Sequence, residues 1–125
     1  LALANEVKVM KVVLATLNAK YIHSSLALRY LKSYCRVVGP DMVVKDYTIN
    51  NPLLDILSDI WREQPAVVGL ACYIWNIELI LNLTKLLRKV LPATVIVLGG
   101  PEVTYDAGSV LEANPEVDYI VIGEG

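Results

Sequence analysis

The sequence predicts an α/β fold, a three-layer sandwich built on a five-stranded parallel sheet. Three observations support this prediction. Strand-like and helix-like segments alternate strictly along the 125 residues. Several of the strand-like segments are apolar nearly throughout, which is typical of parallel strands that are covered on both faces. The helix-like segments are amphipathic, so each of them can pack one side against a sheet.

The first strand is predicted at residues 8–17, which are rich in β-branched side chains. A helix is predicted at 24–38, where apolar residues recur at helical spacing and Ser24 or Ser25 can cap the start. Gly39 and Pro40 then break the helix. The second strand, residues 42–49, alternates apolar with charged residues, so we expect it near an edge of the sheet.

The rest of the chain continues the alternation. Asn50, Asn51 and Pro52 open the second helix, and Pro92 stops the third. The predicted bounds are 52–63, 76–91 and 106–115 for these helices and 66–73, 94–100 and 117–123 for the remaining strands.

Five parallel strands joined by helices have few possible arrangements, because their crossovers are right-handed almost without exception. The commonest is the flavodoxin-like (Rossmann-like) strand order 2-1-3-4-5. Ligands bind such sheets at the carboxyl ends of the strands, near the point where the strand order reverses. We therefore expect function in the loops at residues 16–25, 72–76, 99–106 and 123–125.

Composition argues against several classes of function. The formal net charge is −2, from 11 basic and 13 acidic residues, and the basic residues are scattered, so no nucleic-acid surface is expected. No apolar run approaches the ~20 residues of a membrane span, and the first residues make a poor signal peptide. Cys35 and Cys72 lie far apart and are expected to be free, buried thiols in a reducing cytoplasm.

The first loop contains Asn18, Tyr21 and His23, which is the chain's single histidine. It contains no glycine, so it can form neither a Walker loop nor a GxGxxG turn. It also lacks the adjacent carboxylates that would hold magnesium in a response regulator. His23 is interpreted either as a surface or capping residue or as a ligand contact or metal ligand.

The third loop follows the third strand and reads Cys72-Tyr73-Ile74-Trp75-Asn76. Its two aromatic residues have two possible roles. They can line a flat ligand at the mouth of the sheet, or both can pack on the neighbouring helix.

The fourth loop begins with Gly99 and Gly100. Two glycines at the end of a central strand leave a bare backbone that another surface can approach closely. A tight turn alone explains one glycine better than two, so we expect a shelf for a ligand here. Pro101 fixes the direction in which the chain leaves, and Glu102 can hydrogen-bond a ligand or its own loop.

Four segments together resemble a known family. They are "LNAKYIHSSLALRYL", "VVGLACYIWN", "VIVLGGPEVTYD" and "VDYIVIGEG". They resemble the amino-terminal cobalamin-binding domain of cobalamin-dependent radical S-adenosylmethionine (SAM) enzymes, a group that includes the anaerobic magnesium-protoporphyrin monomethyl ester oxidative cyclase and related methylases. The resemblance implies that residues 1–125 are one domain of a longer enzyme. Its partner would be a radical SAM domain of the same polypeptide, carrying S-adenosylmethionine and a 4Fe-4S cluster.

The resemblance also implies roles for individual residues. In the family the glycines after strand four let the corrin or its nucleotide tail lie close, and Gly99 and Gly100 match them. Cobalamin mutases carry an Asp-x-His-x-x-Gly signature in the first loop, from which this sequence departs, so the lower cobalt ligand stays open between His23, water and none. No catalytic residue is expected. The candidate cofactor-binding residues are Asn18, Tyr21, His23, Cys72, Tyr73, Trp75, Gly99, Gly100, Pro101, Glu102 and Gly123.

Two other functions compete with cobalamin binding. The chain can be a flavodoxin-like interaction domain that has lost its cofactor, as the missing signature and the bulk of Tyr73 suggest. A flavin-binding protein is the third possibility, but the first loop is a poor match to the Ser/Thr/Gly-rich phosphate loop of flavodoxins.

Overall fold

The computed structural model of the chain describes residues 11–19 and 41–122. Within them, five parallel strands form one sheet in the order 2-1-3-4-5, which confirms the predicted topology. The predicted helix at 24–38 lies outside the described residues. The strands are β1 (Lys11–Asn18), β2 (Asp41–Thr48), β3 (Val67–Ala71), β4 (Val95–Gly99) and β5 (Tyr119–Ile120).

The described helices connect the strands from β2 onward. They are α1 (Leu53–Glu63), α2 (Ile77–Val90), α3 (Pro101–Thr104) and α4 (Ala107–Ala113). The short helix α3 was not predicted, because its sequence was interpreted as a loop. Pro101 occupies its first turn, where the missing N–H of proline costs no hydrogen bond.

One face of the sheet, here called the first face, packs against all four described helices. Strand residues such as Val13, Leu70 and Leu98 are fully buried there against the apolar sides of the helices. Ile56 and Ile60 of α1 and three residues of α2 supply most of the opposing surface. The buried α2 residues of this core are Ile80, Leu83 and Leu87.

The opposite face, here called the second face, has its own smaller apolar cluster. Val12, Leu14 and Ala71 are buried in it, and no residue of the described helices belongs to it. A Cβ on Gly69 would lie 2.7 Å from Leu14 Cδ2. Gly69 therefore allows Leu14 to lie across the neighbouring strand.

The two strands at the edges differ from the central ones. β2 is an edge strand, as its alternating charges predicted. β5 has only two residues where seven were predicted. Its ladder is continued on either side by single bonds, from Asp118 N–H to the Ile96 carbonyl and from Val121 N–H to the Leu98 carbonyl.

Polar contacts fix the amino ends of β4 and β5. Arg88 of α2 donates to the Thr94 carbonyl at 2.7 Å and to the Glu116 carbonyl at 2.8 Å, and it pairs with Asp118 at 2.7 Å. Asp118 Oδ2 also accepts the Ile96 N–H. These bonds hold the end of the sheet opposite the carboxyl edge, which leaves that edge for other contacts. None of the described helices has both the length and the apolar character that a membrane span requires.

Candidate functional site at the carboxyl edge of the sheet

The strand register brings the ends of four strands side by side. Asn18 of β1 pairs with Thr48 of β2, and Ala71 of β3 pairs with Gly99 of β4. β1 and β3 are joined where Thr16 pairs with Ala71. The strand order reverses between β1 and β3, so the loops that follow these two strands flank the position where ligands bind such sheets.

Asn76 fastens the loop after β3 to β1. Its side-chain Nδ2 donates to the carbonyls of Leu17 at 3.0 Å and Ala71 at 3.1 Å, and its Oδ1 accepts the Tyr73 N–H at 2.8 Å. The side chain is buried. Because the Tyr73 N–H bonds this side chain, β3 ends at Ala71, two residues earlier than predicted. Sequence reasoning treated Asn76 only as the start of a helix and missed this role.

Tyr73 and Trp75 stack on one another. Their ring centroids are 4.6 Å apart and their planes differ by 4°. Trp75 Nε1 donates to the Leu17 carbonyl at 3.1 Å, while 39% of the residue remains exposed. Tyr73 also packs against the second-face cluster. The pair therefore presents a fixed, partly exposed aromatic surface at the carboxyl edge.

Cys72 forms two backbone hydrogen bonds at the carboxyl edge. Its N–H donates to the Gly99 carbonyl at 2.7 Å, and its carbonyl accepts the Glu102 N–H at 3.3 Å. Burial of the thiol, together with the nearby charge of Glu102, raises its pKa to about 12. The thiol is therefore neutral at physiological pH and unsuited to be a nucleophile or metal ligand.

Gly99 and Gly100 differ in their surroundings. Gly100 has φ +101°, and a Cβ there would lie 2.5 Å from the Cys72 carbonyl oxygen. Among the described residues, a Cβ at Gly99 would meet only the Cβ of Val121, at an ordinary 3.9 Å. Both residues are partly exposed. The backbone of Cys72 is therefore a reason for glycine at position 100, whereas no described residue requires glycine at position 99.

The turn after Gly100 is held by local bonds. The Gly100 carbonyl accepts the Thr104 hydroxyl at 2.8 Å. Pro101 and Glu102 are exposed at the start of α3. The side chain of Glu102 is therefore available at the surface.

Two polar residues lie in the last part of β1. Asn18 is buried, and its Nδ2 donates to Asp46 Oδ1 at 3.4 Å. Thr16 is fully buried, and its hydroxyl has no hydrogen-bond partner among the described residues. Sequence reasoning missed Thr16, since a threonine within a β-branched strand looks like an ordinary strand former.

The structure brings most of the predicted site residues to one edge. Asn18 ends β1, Cys72, Tyr73 and Trp75 follow β3, and Gly99 ends β4 just before Gly100, Pro101 and Glu102. Tyr21, His23 and Gly123 lie outside the described residues. Within residues 11–19 and 41–122, no group of three His, Cys, Asp or Glu side chains is placed to hold a metal ion.

Large apolar side chains are exposed at the same edge. Ile74 is 77% exposed after β3, and Ile122 is 68% exposed after β5. Trp75 and Val121 are each 39% exposed. An edge with this character suits a broad ligand or another protein surface better than a small ion.

A comparison with protein-family models matches residues 11–125 to the B12 binding domain. The chain belongs to this family. The match extends over all five strands, so the geometry described above is the geometry of a B12 binding domain. The resemblance that the sequence motifs indicated is confirmed.

The relatives of this domain include cobalamin-dependent radical SAM enzymes. TokK, a cobalamin-dependent radical SAM methyltransferase of Streptomyces tokunonensis, is 37% identical over 62 residues, which are 50% of the chain and 9% of TokK. The solved structure of OxsB, a cobalamin-dependent S-adenosylmethionine radical enzyme with aqua-cobalamin bound, matches 99% of the chain and 18% of OxsB at 17% identity and a TM-score of 0.79.

A cobalamin-binding protein from Desulfitobacterium hafniense DCB-2 has the same fold, with a TM-score of 0.67, 17% identity and coverage of 92% of the chain and 53% of that protein. At these identities the structural matches establish the fold. The matched segment is 9% of TokK and 18% of OxsB, so the chain corresponds to one small part of each.

Proposed function

We propose that this domain binds cobalamin at the carboxyl edge of its sheet and presents it to a radical SAM domain of the same polypeptide. The observation that carries the proposal is Gly99, a partly exposed residue at the end of a central strand, where the Cβ of Val121 is the only atom of the described residues within 4 Å of the position that a Cβ would take. Its position, beside the reversal of strand order, is where such sheets bind ligands. Membership of the B12 binding domain family supplies the identity of the ligand.

The residues at the edge fit a corrin. A corrin is broad and partly apolar, and amide groups surround it. Gly99 permits close approach to the backbone, Trp75 and Ile74 offer exposed apolar surface, and Glu102 is an exposed acceptor for an amide N–H. Asn18, Cys72, Tyr73, Gly100 and Pro101 shape the surrounding edge, and Tyr21, His23 and Gly123 are proposed to complete the site.

The protein's part in this function is to hold and orient the cofactor. When bound, cobalamin supplies the cobalt-centred chemistry, as is general for cofactor enzymes. Trp75 is fixed by its hydrogen bond to the Leu17 carbonyl of β1 and stacks on Tyr73, which keeps the surface next to the ligand rigid. No residue of this domain is proposed to be catalytic, so the domain alone binds and does not turn over substrate.

The parent enzyme is proposed to be a radical SAM enzyme of the methyltransferase or oxidative cyclase type. The radical SAM methyltransferase TokK, which is 37% identical over half of the chain, supports the first of these. In the proposed parent, residues 1–125 form the cobalamin-binding domain. S-adenosylmethionine and a 4Fe-4S cluster belong to the radical SAM domain, and a cytoplasmic location stays a prediction.

An interaction domain without cofactor is the second candidate. One observation favours it. The backbone of Cys72 leaves no room for a side chain at position 100, so Gly100 does not by itself indicate a bound ligand. Under this candidate the exposed apolar side chains would contact only another domain. Direct measurement of cobalamin binding separates the two.

The test is retention of hydroxocobalamin. The purified domain is mixed with the cofactor and passed over a desalting column, and the visible spectrum of the protein fraction is recorded. We expect corrin absorption in stoichiometric amount. Absence of corrin from the protein fraction, both for the domain and for the full-length parent, would reject cobalamin binding in favour of the interaction domain.

Gly99→Val tests the site itself. The Cβ of the valine would meet no atom of the described residues closer than 3.9 Å, and valine suits a strand, so we expect stability to be kept while the affinity for hydroxocobalamin falls at least about tenfold, or about 1.4 kcal/mol. Gly108→Val is the matched control, because Gly108 lies in α4 with nothing within 4 Å of its Cβ position. Equal affinity of the two variants would contradict the proposed position of the ligand.

A further inference from the structure

Thr16 carries a hydroxyl group that the described part of the chain leaves unsatisfied. The residue is fully buried in the carboxyl half of β1, and its Oγ1 makes no hydrogen bond there. A buried hydroxyl without a partner destabilises a folded protein, because it has lost its bonds to water and formed none in exchange. Valine has nearly the same shape and would avoid this cost, so threonine at this position calls for a specific reason.

Small residues lie beside Thr16 on the second face of the sheet. Ala71 of β3 pairs with Thr16, and Gly99 of β4 pairs with Ala71. Side chains paired across a parallel sheet project to the same face, and Ala71 belongs to the second-face cluster. Thr16, Ala71 and Gly99 therefore form a row of small residues across the carboxyl end of this face. The hydroxyl without a partner lies at one end of the row, and Gly99 lies at the other.

Neighbouring polar side chains do not satisfy the hydroxyl. Asp46 of β2 pairs with Thr16 in the register, but its Oδ1 accepts the Asn18 Nδ2 at 3.4 Å. At the other end of the row, the Cβ of Val121 is the one contact that the described residues make within 4 Å of the Cβ position of Gly99. Ala71 is only 3% exposed and Thr16 is fully buried, so a ligand group that enters beside Gly99 must displace what covers the row before it reaches Thr16.

We propose that Thr16 is a ligand-binding residue, whose hydroxyl forms its missing hydrogen bond with cobalamin. The inference rests on the proposed function. It adds Thr16 to the binding site and implies that part of the cofactor extends from Gly99 along the row into the interior of the domain. The partner is a hydrogen-bonding group of the cofactor. It belongs either to an amide side chain of the corrin or to the nucleotide tail.

Thr16→Val tests the proposal through two effects of opposite sign. In the free domain the variant removes an unsatisfied group, so we expect its Tm to rise by about 3–5 °C. In the complex it removes a hydrogen bond, so we expect the Kd for hydroxocobalamin to increase about five- to tenfold. Thermal unfolding followed by circular dichroism and titration followed by visible absorption measure the two effects.

Thr16→Ser is the matched control, because it keeps the hydroxyl and loses only a methyl group. Its affinity is expected to stay within about twofold of the wild type while its Tm falls. Cobinamide, which lacks the nucleotide tail, identifies the partner. If Thr16→Val weakens hydroxocobalamin but not cobinamide, the tail is the partner; if it weakens both, the partner is a corrin amide.

The outcomes against the proposal are distinct. A Thr16→Val variant that binds hydroxocobalamin as tightly as the wild type overturns the contact while leaving the proposed function intact. A variant that is less stable than the wild type in the free form shows that the hydroxyl is satisfied within the chain, which also overturns it. Failure of the wild-type domain and its full-length parent to bind hydroxocobalamin rejects the proposed function, and the contact with it.

Discussion

Gly99 and Gly100 are adjacent in the sequence but differ in backbone conformation and in the space around them. At Gly100 a positive φ and the nearby Cys72 carbonyl exclude any side chain. At Gly99 the described part of the chain places only Val121 near the position of a side chain, at 3.9 Å. The two-glycine shelf predicted from the sequence therefore divides into a residue that the fold requires and a residue that a ligand can use.

Gly100→Ala is expected to lower the free energy of unfolding by about 2–4 kcal/mol, because it combines backbone strain with a 2.5 Å approach of the new Cβ to the Cys72 oxygen. Gly108→Ala, in the open part of α4, is expected to raise it by about 0.4–1 kcal/mol. Urea denaturation of both variants measures the difference. A loss below about 0.5 kcal/mol at Gly100 would mean that the loop after β3 moves away without cost.

The polar residues at the site were the hardest to predict. Asn76 looks in the sequence like a helix cap, yet its Nδ2 bonds the Leu17 carbonyl of a strand 59 positions away. Thr16 looks like any β-branched strand residue. In both cases the partner, or its absence, depends on which strands become neighbours. Hydrophobic patterns in the sequence indicate which residues are buried and whether a segment is a helix or a strand. They do not indicate which distant residues become hydrogen-bond partners.

The edge strand β2 is joined to α1 by charges on the first face. Lys45 Nζ lies 2.9 Å from Glu63 Oε2 and 3.2 Å from Asp59 Oδ2, and Lys11 Nζ lies 3.1 Å from Glu63 Oε1. The Tyr47 hydroxyl donates to Asp59 Oδ2 at 2.5 Å. Alternating charges in the sequence predicted an edge position for β2, and at this edge two of its polar side chains, Lys45 and Tyr47, find partners on α1.

Acid is expected to weaken this junction. The hydrogen bond from Tyr47 is the largest cause that lowers the pKa of Asp59 below its ordinary 3.8, and the bond from Lys45 is the largest cause that lowers the pKa of Glu63 below its ordinary 4.5. A carboxyl group with a lowered pKa stabilises the fold above its unfolded-state pKa and loses that contribution as the pH falls through the folded-state value. Stability should therefore decline as the pH falls below about 4.5.

Tyr47→Phe isolates one part of this effect. At neutral pH we expect a loss of about 1 kcal/mol, discounted for the partial exposure of Asp59. The difference from the wild type should shrink as Asp59 becomes protonated, because the wild type then loses the bond to a charged carboxylate that the variant already lacks. Denaturant titrations from about pH 7 to about pH 3 measure it. Tyr105→Phe, at a fully exposed ring, is the control, and a difference for Tyr47→Phe that is independent of pH would contradict the assignment.

The elements whose bounds were least well predicted are those next to the site. The Gly-Gly-Pro-Glu segment was interpreted as a turn, yet Pro101–Thr104 form the short helix α3, with the Gly100 carbonyl accepting the Thr104 N–H at 3.2 Å. β5 is short although Asp118 is the only charged residue in the predicted strand at 117–123. Local patterns predict an element's type better than its length, because tertiary hydrogen bonds decide where it ends.

At the scale of the whole molecule, the sheet order was predictable because general rules of handedness leave few alternatives for five alternating units. The distribution of exposed surface was not predictable in the same way. All described helices that contribute to the core pack on the first face, while the residues after β3 and β5 leave Ile74 and Ile122 mostly in solvent. Which apolar residues are left uncovered depends on the complete set of elements around the sheet.

These exposed side chains have a consequence for the domain in solution. With a net charge of only −2 there is little electrostatic repulsion between copies, and exposed apolar side chains favour association. We therefore expect the isolated domain to self-associate at concentrations of about 100 μM, as seen by sedimentation velocity, and the double variant Ile74→Thr/Ile122→Thr to shift it toward monomer. Val90→Thr is the control, because Val90 is 41% exposed but lies at the end of α2, near the opposite edge of the sheet. Equal association of the double variant and the control would show that the carboxyl edge is not the contact, and that its apolar residues are tolerated in solution without a covering partner.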